Sequence, residues 1–98
     1  MYRIDGVSTQ GRVHRVQWVT DYKINYSVDG ITFDTVQDIL TYPATDKVFA
    51  GNSDTDTVVY NALPQPKVCR YVRLLPVDWF SKIALRMELY GEPPVMGQ

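Results

Sequence analysis

Along residues 20–26 the chain alternates with a period of two. Tyr22, Ile24 and Tyr26 take one set of positions and Asp21, Lys23 and Asn25 the other. Successive side chains of an extended strand point to opposite faces, so this pattern buries one face and wets the other. The alternation recurs at Ile83, Leu85, Met87 and Leu89 against Ala84, Arg86, Glu88 and Tyr90. Val68 to Leu75, a β-branched and aromatic run bounded by Pro66 and Pro76, reads as another strand. Asp29-Gly30 is a turn pair, because tight hairpins need residues that accept positive φ, and Phe33 to Leu40 should pair back after it. Shorter strands are expected at Arg3 to Ser8, Lys47 to Phe49 and Thr57 to Asn61. No segment carries an i, i+3, i+4, i+7 apolar stripe between capping signals. The expected fold is therefore all-β, most simply two antiparallel sheets face to face.

Such a sandwich has few aids to stability here. At 98 residues one domain is expected, burying about two-thirds of the extended chain's surface. A single cysteine, Cys69, and a single histidine, His14, supply neither an internal disulfide nor a Cys/His zinc site. Packing or a partner must complete the core. The formal net charge of −1 gives no whole-chain field for nucleic acid. Charge is nevertheless segregated: residues 24–66 carry Lys47 alone against Asp29, Asp34, Asp38, Asp46, Asp54 and Asp56, while both flanking segments are net basic. An anion-seeking surface therefore belongs near the chain ends. The first ten residues carry Arg3 and Asp5 without an apolar run, and nowhere do 18 apolar residues run together. Neither a signal peptide nor a spanning segment is expected in this chain, so membrane contact would be peripheral.

The supply of reactive groups is thin. No GxSxG, HExxH or phosphate-loop pattern occurs, so no catalytic residue, cofactor or enzymatic activity is expected. Asn52-Ser53-Asp54-Thr55-Asp56 opens like a calcium loop, but Thr57 stands at the glycine position and Leu63 at the bidentate glutamate position. It reads as a polar turn and no metal site is expected. Cys69 lies within a strand and reads as a small buried hydrophobe. Asn25-Tyr26-Ser27 satisfies the glycosylation sequon, and Trp18 and Trp79 read as core anchors ahead of stacking platforms. The segment Gln10 to Gln17 is different, mixing two guanidinium groups, an imidazole and two valines between strands. Arg12, Val13, His14, Arg15, Val16 and Gln17 form the candidate ligand-binding loop, suited to headgroup phosphates with shallow apolar insertion or to acidic glycans. A tight hairpin whose valines cover its own base fits the same residues. Because an imidazole gains charge on acidification, binding of phosphates near His14 should strengthen as pH falls.

Ser8-Thr9-Gln10-Gly11-Arg12, Trp18-Val19-Thr20, Tyr26 to Gly30, Lys47 to Asp54, Arg70 to Leu74, Pro76 to Trp79 and Ile83 to Gly91 occur in that order. Together they strongly resemble the discoidin family, also called the coagulation factor five/eight type C domain, from about Ile4 to Gly91. The resemblance implies a β-sandwich of jelly-roll type, like galactose-binding domains, with ligand-binding hairpin spikes at one end. It also implies a non-enzymatic extracellular adhesion and recognition module. Family members bind anionic phospholipid, especially phosphatidylserine, or carbohydrate, collagen or protein ligands. The loop from Arg12 to Gln17 falls where one spike lies, whereas Trp79 and Arg86 match positions better taken as structural. Two departures stand out. The family pattern's first third, with the opening strands and two other spikes, is missing, and Glu92 stands where the second of a terminal cysteine pair is expected. The expectation is thus a single discoidin-type domain over residues 1–98, with residues 92–98 a tail. It would bind anionic phospholipid or cell-surface glycan through the Arg12–Gln17 loop. The alternative is a structural or assembly domain acting through protein-protein contacts at exposed sheet edges, with no small ligand; a homodimer is expected separately, since the missing opening strands would leave sheet edges open.

Overall fold

The computed structural model describes residues 1–12 and 14–92. Nine strands and no helix are formed among the described residues: β1 (Tyr2–Gln10), β2 (Trp18–Ser27), β3 (Asp34–Thr35), β4 (Gln37–Asp38), β5 (Thr45–Asp46), β6 (Phe49–Ala50), β7 (Val59–Cys69), β8 (Tyr71–Phe80) and β9 (Arg86–Glu92). Every pairing is antiparallel. One sheet runs β7-β1-β9; in the other, β2 pairs along its length with β8, and its opposite edge holds β3 and β6. Strands β4 and β5 make a small separate hairpin.

The period-two reading of residues 20–26 holds in the sandwich. Tyr22 and Ile24 are buried, with Tyr26 packed against the same core, while Asp21 and Lys23 stay half-buried on the other face. Val7 from β1, Val19, Tyr22 and Ile24 from β2, and Val36, Phe49 and Leu63 complete the buried cluster. Tyr22 and Phe49 stack at 5.4 Å between ring centroids. The Tyr22 hydroxyl takes a hydrogen bond from Asn61 of β7, whose amide also donates to the Ala50 carbonyl. Burial pushes the Tyr22 phenol above its ordinary value, and the Asn61 bond opposes that rise. These contacts tie β7 to the β3 and β6 side of the sandwich. The free edges of β8 and β9 lie on the opposite flank.

Two local expectations are corrected. Val68 to Leu75 is not one strand: β7 ends at Cys69 and β8 begins at Tyr71 in the other sheet. Arg70 between them donates its N–H to the Ser27 carbonyl at 2.9 Å. Pro64 and Pro66 lie inside β7, which is tolerated because β7 is an edge strand needing no further donors. Trp79 is not a core anchor, being 42% exposed on β8, since no strand among the described residues pairs beyond that edge. Trp18 is half-buried and stacks on Phe80 at 4.5 Å.

The turns follow from side-chain capping of the backbone. Gly30 adopts φ of 78°, and Asp29 Oδ1 accepts the N–H groups of Ile31 and Thr32 and the Ser27 hydroxyl. At residues 54–57, Asp54 accepts the Thr57 hydroxyl at 2.6 Å and the N–H groups of Thr57 and Asp56. The carboxylate of this calcium-loop lookalike is thus occupied by its own turn. Gly51 passes close over β2, where a Cβ would sit 2.5 Å from the Val19 carbonyl oxygen. Cys69 is 2% exposed, and burial pushes its thiol up.

Bonds to the ionised carboxylates hold Asp54 and Asp29 below the ordinary 3.8, led by the Thr57 side chain for Asp54 and the Ile31 N–H for Asp29. A lowered folded value contributes stability above the ordinary value, and that contribution is lost as pH falls through the lowered one. The urea midpoint should therefore drop on acidification from about pH 5 to about pH 2, and Asp54→Asn should flatten part of that drop. An identical slope in the variant would show that the Asp54 turn contributes nothing to it.

Candidate functional site

The loop between β1 and β2 is built tightly. Gly11 lets the chain leave β1 against its neighbours, since a Cβ there would lie 2.7 Å from the Gln17 carbonyl oxygen and 2.9 Å from that of Asp54. Arg12 N–H donates to the Gln17 carbonyl at 3.0 Å, and Gln17 N–H to the Arg15 carbonyl at 2.9 Å. These bonds bring Gln17 back against Arg12 at the base of the loop. Arg12, His14 and Arg15 are exposed and Val16 is 65% exposed. Gln17 is only 9% exposed, so it serves the base of the loop rather than its tip. Val13, the remaining candidate, lies outside the described residues.

A second cation supports the loop from below. Arg86 at the start of β9 donates Nε to the Gly11 carbonyl at 2.9 Å and Nη2 to the Thr55 carbonyl at 3.0 Å, with Asp56 3.2 Å away. Its guanidinium fork thus ties the loop, the 52–57 turn and β9 together. Asn52, 2% exposed, adds bonds from its amide to the Thr9 and Thr57 carbonyls. Arg86 is committed to structure, whereas neither Arg12 nor Arg15 has an ion-pair partner among the described residues.

Beside the loop lies an open cleft of about 440 Å³ lined by Arg12, His14, Ala84, Leu85 and Arg86. Sequence reasoning misses residues 84–86 as site residues, because in the sequence they appear only as part of an alternating strand. The register that sets β9 beside β1, with Gln10 opposite Arg86, is what brings them there. The cleft can offer an anion two loop groups and an apolar floor at Leu85. No group of three or more His, Cys, Asp or Glu side chains able to hold a metal occurs among the described residues. Asn25 of the sequon is 9% exposed in mid-strand, its side-chain oxygen accepting the Thr35 hydroxyl at 2.8 Å.

Antiparallel strands in two facing sheets, nine strands in all among the described residues, with a pinned loop at one end define a jelly-roll sandwich of the galactose-binding type. The solved discoidin II of Dictyostelium discoideum superposes with a TM-score of 0.79 at 27% identity, over 97% of this chain and 35% of that one. The family profile described as the F5/8 type C domain matches residues 1–89, and the chain belongs to that family. Among curated relatives, retinoschisin of Takifugu rubripes is 39% identical over 88% of this chain and 30% of its own length. The human EGF-like repeat and discoidin I-like domain-containing protein 3 is 41% identical over 91% of this chain and 18% of its own length. Rat lactadherin is 36% identical, with 91% and 20% covered. The chain therefore spans less than two-fifths of the length of these relatives.

Arg86→Gln should leave the sandwich folded, because its ion pair with Asp56 is exposed and contributes little. It should loosen the loop and the 52–57 turn, which lose one carbonyl bond each, at Gly11 and Thr55, of about 1 kcal/mol. Amide hydrogen exchange should accelerate at Arg12 and Gln17 while Val7 and Ile24 keep their protection. Unchanged exchange at Arg12 would show that the loop closes without Arg86.

Proposed function

We propose that this chain is a non-enzymatic, extracellular recognition module that binds anionic phospholipid or cell-surface carbohydrate through the Arg12–Gln17 loop. One observation carries the reading: two arginines without carboxylate partners among the described residues and an exposed valine project from a loop that Arg86 and Asn52 hold in place. Cations beside an exposed apolar side chain suit a membrane interface, where the charges meet headgroups and the valine enters the acyl boundary. Kinship with lactadherin, retinoschisin and discoidin II supports a surface recognition role, and the absence of a catalytic motif in the sequence fits it. Arg12, His14, Arg15 and Val16 make the contact.

Co-sedimentation with vesicles of phosphatidylserine in phosphatidylcholine, against phosphatidylcholine alone, tests the lipid branch. At about 1 kcal/mol per surface cation, the Arg12→Ala/Arg15→Ala variant should lose roughly ten- to thirty-fold in affinity for the anionic vesicles and bind with a flatter salt dependence. Equal binding by the two proteins would remove the loop from the site.

A second reading is favoured by the flank opposite β7. There β8 and β9 have free edges among the described residues, and Val77, Trp79, Phe80, Ile83, Met87 and Leu89 are between 37% and 52% exposed. Unpaired strand edges beside apolar side chains recruit other strands, and a second copy of the chain is the occupant this reading assigns, giving a homodimer. Sedimentation equilibrium should then show a concentration-dependent dimer that a charged residue at Trp79 dissolves. An 11.2 kDa species at every concentration would leave the flank without that role.

A further inference from the structure

Three long strands have an unpaired edge among the described residues: β7, β8 and β9. An exposed strand edge takes up other strands unless proline, a bulge or lysine interrupts it. Two of the three are interrupted. β7 carries Pro64 and Pro66. β8 carries Pro76, and its ladder with β2 slips twice where Pro76 to Trp79 lie against Val19 to Tyr22. β9 has no such feature. Residues 86–92 contain neither proline nor lysine. The one irregularity in their ladder with β1 lies between Ile4 and Gly6 and puts the extra residue, Asp5, on β1, so β9 itself runs unbroken from Arg86 to Glu92.

A regular edge can pair with its own copy. A two-fold axis between antiparallel copies of one strand stands perpendicular to the sheet, so like faces stay on the same side and one residue lies opposite its own copy. Few registers are then open. Centring on Glu88 sets it against the partner's Glu88, and centring on Tyr90 sets Glu88 against the partner's Glu92; like charges directly opposed destabilise a sheet. Centring on Met87 or Gly91 leaves most of the strand unpaired. Centring on Leu89 uses all seven residues. It sets Arg86 against the partner's Glu92 at both ends and Glu88 against the partner's Tyr90, with no like-charged pair.

The apolar side chains of β9 point to the same register. Leu89 and Met87 lie opposite Val7 and Thr9, which are 0% and 1% exposed, yet they themselves stay 37% and 40% exposed. They share the core face but stand at its open rim. With the axis at Leu89, that residue meets the partner's Leu89, and Met87 lies beside the partner's Gly91, large against small.

We propose that the chain dimerises through β9, two-fold about Leu89, so that the two β7-β1-β9 sheets join into one continuous antiparallel sheet. This rests on the homodimer reading above and names its edge and register. Backbone bonds between the two copies of β9 hold the dimer, and Leu89 and Met87 extend the apolar core across it. The ladder takes no residue of the Arg12–Gln17 loop.

Sedimentation equilibrium of the whole chain under reducing conditions is paired with disulfide crosslinking. In a Cys69→Ala background, Leu89→Cys and Met87→Cys are made singly and oxidised with glutathione disulfide. Position 89 faces its own copy within the Cα separation a disulfide spans, whereas position 87 lies four residues, about 14 Å, from its own copy. Leu89→Cys should therefore form a covalent dimer and Met87→Cys should not. Glu92→Arg, at an exposed position whose ion pair with Arg3 is also exposed, sets like charges at both ends of the ladder. It should raise the dimer dissociation constant roughly tenfold. A dimer that Met87→Cys crosslinks as readily as Leu89→Cys, or that Glu92→Arg leaves unchanged, overturns this edge and register while the homodimer stands. An 11.2 kDa species at every concentration of the unsubstituted chain overturns both.

Discussion

The burial of β1 against β2 is the contact on which the rest of the molecule depends. Val7 on one strand and Val19, Tyr22 and Ile24 on the other are at most 2% exposed. Phe49 closes the cluster by stacking on Tyr22. With neither a disulfide nor a grouped metal site among the described residues, this apolar cluster must supply most of the stability. Each strand is the centre of its sheet, and every other strand among the described residues except the separate β4-β5 hairpin pairs with one of these two. Loss of Tyr22 or Phe49 would therefore damage both sheets. A stacked aromatic pair is worth more than its buried area alone, and a large-to-small change in so small a core consumes a large share of the roughly 5–15 kcal/mol that holds a domain folded.

From that centre, position is passed outward by polar contacts rather than by more core. Asn61 connects β7 to Tyr22 and Ala50, Asn52 connects the 52–57 turn to β1, and Arg86 connects β9 to the loop and to the same turn. The end of the sandwich is thus a hydrogen-bonded frame with its tip left charged. Arg86 and Arg12 illustrate the division. One guanidinium faces carbonyls that the fold supplies, and the other faces solvent because the loop closes through its backbone instead of its side chain. Such a frame holds the loop in place, so binding there would carry a smaller ordering cost.

Much of this architecture is legible in the residues alone. Alternation at residues 20–26 puts Tyr22 and Ile24 inside, Asp29-Gly30 marks the turn, and the ordered motifs from Ser8 to Gly91 point to the family whose profile matches residues 1–89. The failures are of one kind. Trp79 reads as a core residue because it is large and lies in a strand, but whether a strand face is covered depends on neighbours that sequence alone does not place. Val68 to Leu75 reads as continuous because β-branched composition does not reveal that the chain changes sheet at Arg70. Gln17 reads as a loop residue available to ligand, and is buried because the loop closes on its backbone.

What the sequence determined by itself was the class of structure and the chemistry on offer: all-β by its period, polar turns by Asp29, Gly30 and Asp54, and a cationic segment at Arg12 to Arg15. Those are local properties, set by side-chain spacing and backbone preference over a few residues. Which groups meet was decided only by the tertiary structure. Arg86 lies 75 positions from Gly11 and Tyr90 lies 82 from Ser8, and each pair is joined by the register of β9 on β1. The physical reason is that a strand's alternation says which side chains share a face but not which strand lies beside it. That choice is made by burial of the whole core at once.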